Sequence, residues 1–460
     1  MKLSTLFGTK RFYRNVLSIM IPMMIQNGVT NLVNLLDNIM VGRLSTEAMS
    51  GVSICNQFIF VFNLLLFGAV SAGGIFTAQY YGQGNTEGVR NTFRFKFLIC
   101  LATGALGMIV FWFFKDPLIG IFLYDGSAEG NLEATLQFGR DYINVMIWGL
   151  IPYAVSQAYA STLRETGNAV PPVFASLAGV ATNFVGNYIL IFGNFGAPKL
   201  GVVGAAIATV ASRFVEVIIL IVWTQVNAEK APFIVGAFRS LRIPADLIRE
   251  ISLRGLPLMA NELLWSLSVT LRNQCYATRG LDVVAAQNIA STLSNLFNVV
   301  YLSIGGAVAV VLGNLLGAGK LKEAKRAAIR LQVFTIFCSV IMGGLLCCVS
   351  VVFPKIYNTT ADVRAIATMM ICIFGAMMPI NASCNSAYFT IRSGGQVFVT
   401  MVLDSGFMWV LVMPLSFILS RFTDIPIFAL FTICQGTEAL KCCLGWYLLL
   451  QGKWVRKLVE

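Results

Sequence analysis

The chain has 460 residues, of which 57% are apolar and only 12% charged, where soluble domains carry about 25% charged residues. Mean hydropathy is +0.76; a soluble fold this apolar would expose large hydrophobic patches and aggregate, so the chain reads as an integral membrane protein with room for about twelve helices of ~20 residues. Histidine is absent, which excludes Ser-His-Asp and Cys-His catalysis, histidine-ligated metals and histidine proton relays.

Lys2, Lys10, Arg11 and Arg14 lead straight into a hydrophobic stretch too long for the core of a cleavable signal, so it is expected to be an uncleaved first span. Apolar runs then fall at 15–42, 52–80, 95–114, 138–163, 170–193, 201–225, 255–279, 285–316, 329–353, 365–391, 396–420 and 426–450. Runs longer than ~25 residues imply tilted or bent helices. Nothing resembles the short alternating segments of a β-barrel. The eleven cysteines include no Cys-x-x-Cys pair. Cys347-Cys348 and Cys442-Cys443 lie in apolar runs and read as small packing residues.

Lys and Arg are unevenly shared between the loops. The two termini and the even-numbered loops hold 22, among them three in 82–96, Arg164, five in 226–254, five in 317–330 and Arg392. The odd-numbered loops hold eight, and Arg213, Arg272 and Lys441 lie inside spans. This asymmetry predicts both termini in the cytoplasm of a multi-pass cell-membrane protein. The net charge of +12 then faces anionic lipid and needs no nucleic acid.

Sliding the chain on itself by 235 residues aligns spans one and two with spans seven and eight without a gap. Pro22 meets Pro257, Met24 Met259, Leu32 Leu267, Leu36 Leu271 and Asn38 Asn273. Phe62-Asn63 meets Phe297-Asn298, Gly82-x-Gly84 meets Gly317-x-Gly319, and Arg90 meets Lys325. A shift of 227 pairs Pro152 with Pro379 and Gly167 with Gly394. Six spans return the chain to its starting side. The expected fold is therefore all-α, about twelve transmembrane helices in two six-helix lobes related by a pseudo-two-fold axis along the membrane normal. The lobes are expected at 1–225 and 255–460, with 226–254 as the cytoplasmic linker. Two such lobes enclosing a cleft suit alternating access.

Pro22 and Asp37-x₄-Gly42 in span one, and Gly255-Leu-Pro257-x₄-Glu262 in span seven, carry a resemblance to a known family. So do the two Gly-x-Gly loops, Leu200-Gly-Val-Val-Gly-Ala-Ala-Ile-Ala-Thr209 and the terminal Gly452-Lys453-Trp454-Val455. In order and spacing the chain resembles the MATE family, the multidrug and toxic compound extrusion antiporters, over essentially its whole length. That resemblance implies two six-helix bundles and a central cavity. It also implies export of organic, often cationic, compounds driven by entry of Na⁺ or H⁺, with no cofactor beyond the coupling ion.

Five acids lie within spans: Asp37, Glu216, Glu262, Asp404 and Glu438. A charge at mid-bilayer costs about 2.5–3.5 kcal/mol on insertion scales, so each is expected to have a partner or a task. Asn34, Asp37, Asn38 and Val41 share one helix face by i, i+3, i+4 spacing. A buried carboxylate among amides can hold Na⁺ through oxygens or take a proton; the alternative is a structural hydrogen-bonding acid. The resemblance makes Asp37 the coupling acid of the first lobe and Glu262 a cation or substrate ligand of the second, so that both are Na⁺ candidates; pairing of Glu262 with Arg272 or with another span is the alternative for that residue. Asp404 either assists Glu262 or bonds a neighbouring span. The family's best-known Na⁺ pattern adds a carboxylate in span ten, and span ten here has none, which leaves Na⁺ and H⁺ both open. Pro22 and Pro257 are expected as structural hinges. Arg213 with Glu216, and Glu438 with Lys441, stand three apart and are expected to neutralise each other.

Gly313-Asn-Leu-Leu-Gly-Ala-Gly319-Lys320 has one residue too many for a phosphate-cradling loop, and Leu321 stands where Ser or Thr would hold Mg²⁺, so no nucleotide is expected. Competing readings are an integral-membrane enzyme, which lacks a histidine base, and a lipid-linked saccharide flippase. The flippase would need several cavity arginines for pyrophosphate where only Arg213 and Arg272 are available. The expected partners are small organic molecules, Na⁺ or protons, and the lipid bilayer.

Overall fold

Every regular element of the computed structural model is helical among the described residues, which are 8–120, 132–357 and 359–459, without the side chains at 34–36, 38–39, 46 and 281. The helices are α1 (Lys10–Gly42), α2 (Thr46–Gln83), α3 (Thr86–Gly120), α4 (Leu132–Met146), α5 (Leu150–Glu165), α6 (Val170–Phe192) and α7 (Val202–Val226). They continue with α8 (Ala245–Ala277), α9 (Leu281–Gly317), α10 (Leu321–Val349), α11 (Ala361–Ser393), α12 (Val397–Met401), α13 (Met413–Phe422) and α14 (Ile427–Gln451). A single 3₁₀ turn, Ile147–Gly149, joins α4 to α5, and two π-helical segments, Val402–Gly406 and Met408–Val412, join α12 to α13. Ten helical stretches among the described residues are long and apolar enough to cross a membrane. The α4–α5 pair and the 33-residue α8 complete twelve passes. Outward faces are apolar, as a lipid solvent requires: Trp112, Phe113 and Phe114 on α3 and Phe337, Val340 and Ile341 on α10 are exposed.

By contacts the chain divides into an N-unit, Ile25–Thr77 with Asn85–Gly255, and a C-unit, Met1–Met24 with Ala78–Gly84 and Leu256–Glu460. The two helices that carry the repeat-matched prolines pass from one unit to the other beside them, α1 after Met24 and α8 after Gly255. Pro22 and Pro257 each remove a backbone donor from the helix interior and crowd the carbonyl four residues back. The N-unit core gathers Val52, Ile59, Phe62, Phe111, Tyr142, Met146 and Leu150. The C-unit core gathers Val16, Ile19, Ile304, Val308, Leu312, Leu331 and Trp454.

The two Gly-x-Gly repeats have one physical explanation. Within the C-unit, a Cβ on Gly82 would strike the Asn314 carbonyl, and a Cβ on Gly317 would strike the Gln79 carbonyl. The ends of α2 and α9 therefore cross backbone to backbone at these two glycines. The second glycines, Gly84 and Gly319, take φ of 80° and 73° just past the helix ends, the left-handed region glycine enters without penalty.

The 226–254 stretch is docked onto the N-unit. Phe233 and Phe238 pack on Phe93 and Phe97 with ring centroids 5.1 and 5.3 Å apart, respectively. Arg94 donates to the carbonyls of Gly236 at 2.9 Å and Ala237 at 2.7 Å, and Asn168 donates to the carbonyl of Lys230. Several basic residues that the sequence assigns to loops are helical instead, and three of them lie where a helix meets polar partners. Lys96 is fully buried in α3, Arg392 is buried in the last turn of α11, and Arg164 lies in the last turn of α5. Apolar windows end at the first cation, whereas these cations stay inside their helices because each finds a polar partner there.

Candidate functional site

The N-unit cluster is built on the close pairing of α6 and α7. Gly186 stands where a Cβ would lie 2.8 Å from the Ala208 Cβ, and Gly179 where one would lie 3.3 Å from the Ser212 carbonyl. Small residues at such a seam let two helix backbones approach. Between them, Asn183 donates to Thr209 Oγ1 at 3.1 Å, and Asn187 Nδ2 bonds Asn183 Oδ1 at 3.2 Å. The same Asn187 amide donates to Asp37 Oδ1 on α1 at 2.5 Å. Asn183 and Asn187 are buried. Asn187 Oδ1 is buried without a hydrogen-bond donor among the described residues. No cationic side chain among the described residues lies within ion-pair distance of Asp37. Its carboxylate is held by neutral amides.

Nearby charges in this unit find other solutions. Lys96, fully buried, gives its ammonium to Glu165 at 2.6 Å and Ser161 at 3.0 Å. Arg213 departs from the expected pairing with Glu216: no ion pair within 4 Å joins them. Instead the guanidinium lies over the Tyr153 ring at 5.0 Å, with its Cδ against the bare face of Gly149. The i, i+3 spacing allows the pair, but cation–π contact with a buried ring offers a competing partner.

The C-unit cluster is a chain of charges. Glu262 on α8 lies 4.0 Å from Arg392 on α11, and Arg392 donates to the Tyr388 hydroxyl at 3.2 Å. Asn261, beside Glu262, donates to Tyr388 at 3.4 Å and to Asp404 Oδ2 at 3.1 Å. Asp404 Oδ1 accepts from Lys441 on α14 at 2.6 Å, and Lys441 also pairs with Glu438 at 3.6 Å. Asp404 and Ser405 both lie in the π-helical segment Val402–Gly406. From it Asp404 reaches both α14, through Lys441, and α8, through Asn261, while Ser405 bonds Asn261 Oδ1 at 2.7 Å. Such π-bulges concentrate at functional positions.

Of the residues singled out from sequence, Asp37 stands in the N-unit network, and Glu262 and Asp404 stand in the C-unit network, linked through Asn261. The ion partner of Glu262 is Arg392. Asp404 makes the span-to-span bond. The side chains of Asn34 and Asn38 lie outside the described residues. Pro22 and Pro257 lie inside α1 and α8. Sequence reasoning passed over Asn183, Asn187 and Thr209, although two asparagines four apart in an apolar helix are a readable signal. It also passed over Arg392, which had been assigned to a loop, and the tie of Lys441 to Asp404, which no spacing reveals.

The sequence profile of the MatE family matches the chain twice, at residues 22–189 and 257–418, the two matches starting 235 residues apart at the paired prolines. A probable multidrug resistance protein NorM of Thermotoga maritima is 24% identical over 452 residues, covering 97% of this chain and 94% of the relative. The probable multidrug resistance protein YoeA of Bacillus subtilis is 25% identical over 458 residues, covering 97% and 95%. Among solved structures, the outward-facing conformation of a multidrug resistance MATE family transporter superposes with a TM-score of 0.84 at 19% identity. A mutant of the Vibrio cholerae MATE transporter VcmN does so at 0.86 and 18%; each likeness covers 98% of both chains. The structural likenesses speak for the two-lobe helical fold, and the doubled profile match speaks for descent: this multi-pass membrane protein belongs to the MatE family.

Proposed function

We propose that the protein is a cation-coupled antiporter that exports organic, often cationic, compounds from the cell, with Asp37 as the coupling acid. The observation that carries this reading is the unneutralised carboxylate of Asp37, held by Asn187 in a buried network of Asn183 and Thr209, beside an orphaned Asn187 oxygen. An acceptor-rich pocket without a basic partner is completed by a proton or by a hard monovalent cation, Na⁺ included. Relatives named as multidrug resistance proteins support the cargo class and point away from an enzyme. Glu262, whose ion partner is Arg392, serves in this reading as the C-lobe ligand for cargo, and Pro22 and Pro257 as hinges of α1 and α8.

In the mechanism, ion binding at Asp37 favours one of two lobe arrangements and cargo the other, so each expels its competitor by differential affinity. A potential of 100 mV adds about 2.3 kcal/mol per charge, roughly a fortyfold concentration ratio. The basic residues of 226–254, 317–330 and both termini support cytoplasmic ends in the cell membrane.

The test is efflux of a fluorescent organic cation from proteoliposomes, with Na⁺ and pH gradients imposed separately. One gradient drives efflux by the wild type, and Asp37→Asn abolishes the driven component while inserting normally. Full driven export by Asp37→Asn removes Asp37 from the mechanism.

A further inference from the structure

Lys441 occupies an unusual position in the C-unit cluster. Its ammonium lies 2.6 Å from Asp404 Oδ1 and 3.6 Å from Glu438 Oε2, and its side chain is only 9% exposed. Asp404 comes from the π-helical segment and Glu438 from one turn earlier in α14, so two elements aim carboxylates at one point. Tyr388 and Asn261 complete the surroundings through Asp404 and Arg392. A simple buried ion pair needs one acid. A second acid there would, without the ammonium, leave a doubly negative pocket of oxygen ligands, the donor set of a monovalent cation site.

We propose that Asp404 and Glu438 form a monovalent-cation site filled by the protein's own Lys441 ammonium. The C-unit therefore takes up no coupling ion at this position, and Lys441 sets the number of ions the protein binds. The geometry stands by itself; only the role of that number in coupling rests on the reading of Asp37. The sign reversal across the duplication strengthens the case. Glu438 and Lys441 are the twelfth and fifteenth residues of α14, and the twelfth and fifteenth residues of α7, a helix of the same length, are Arg213 and Glu216. Packing of a shared helix does not require this arrangement of charges, whereas filling a carboxylate site does.

Lys441→Ala deletes three methylenes and an ammonium, the atoms that n-propylammonium supplies. Full-length protein in detergent is assayed for bound ²²Na⁺ and for melting temperature in sodium, n-propylammonium and N-methylglucamine chlorides. K441A is expected to gain a saturable stabilisation by n-propylammonium that the wild type lacks, and to bind one more Na⁺ than the wild type. The same increment is expected between D37N and D37N/K441A. Failure of the Asp37 reading shows separately, as full gradient-driven export by D37N in proteoliposomes. K441A that binds no additional cation of either kind overturns the proposal. So does K441A that cannot be recovered folded in any of the three salts while D404N/E438Q/K441A folds.

Discussion

The two halves share a backbone plan and differ in how they treat charge. In the N-unit, Asp37 is held by amides among the described residues, while in the C-unit Glu262 faces Arg392 and both Asp404 and Glu438 face Lys441. At matched positions the sign itself is exchanged. Glu165, which binds Lys96 at the end of α5, corresponds under the 227-residue shift to Arg392, which faces Glu262 at the end of α11. Tyr388 likewise stands where Ser161 stands, and each hydroxyl contacts the cation of its own cluster. Each half pairs part of its buried charge within itself, Lys96 with Glu165 in the N-unit and Lys441 with Asp404 and Glu438 in the C-unit. Asp37 and Glu216 are both outside these ion pairs among the described residues; what distinguishes Asp37 is its setting in the amide network of Asn187 and Asn183, and in the proposed function it is the acid that takes up and releases the coupling ion.

That contrast makes the same chemical change behave in opposite ways. Glu165→Gln strands the fully buried Lys96 ammonium and should lower stability by about 3–5 kcal/mol, the cost of breaking a buried ion pair. Asp37→Asn strands nothing, and its melting temperature should equal or exceed that of the wild type. Lys96→Met/Glu165→Gln, which removes both charges, should recover most of the loss. Thermal unfolding of the purified variants checks this. Equal destabilisation by Glu165→Gln and Asp37→Asn would erase the distinction between a structural and a working acid.

Membrane residence, helix count, the duplication and the family were legible because they repeat over hundreds of residues: hydropathy, paired prolines and paired Gly-x-Gly loops. Asp37, Glu262 and Asp404 were legible as acids because charge within an apolar run is costly enough to stand out. Their partners were not. Asn187 lies 150 positions from Asp37, Lys441 lies 37 from Asp404, and Arg392 lies 130 from Glu262. Side-chain reach across helices leaves no periodic trace. Lys96 and Arg392 were misplaced in loops for the same reason, since a cation looks like a span boundary until its buried partner is known. The π-helical segment at Val402–Gly406 gives no signal in hydropathy because its side chains are ordinary span residues.

The shared backbone plan predicts symmetric sensitivity where charge is not involved. Gly82→Ala and Gly317→Ala each place a Cβ against a backbone carbonyl that cannot swing aside. Each should cost about 1–3 kcal/mol, the usual penalty of overpacking, and the two should agree within measurement error. Different penalties would mean that only one repeat still depends on the close crossing.

The smallest effects separate the two polar clusters. Asn187→Ala removes the donor to Asp37, a bond to a charged group that contributes about 1.5–3 kcal/mol. If that bond holds the carboxylate in place for its ion, the half-saturating ion concentration for driven efflux should shift at least tenfold, since 1.4 kcal/mol corresponds to a factor of ten. Tyr388→Phe removes one hydroxyl that receives bonds from Asn261 and Arg392 at 3.4 and 3.2 Å. Its cost should be about 0.5–1.5 kcal/mol of stability, with the ion dependence unmoved, because the acids around it keep their own cations. A shift in ion dependence from Tyr388→Phe as large as that from Asn187→Ala would show that the C-unit charges take part in coupling after all, and the division of labour between the halves would have to be redrawn.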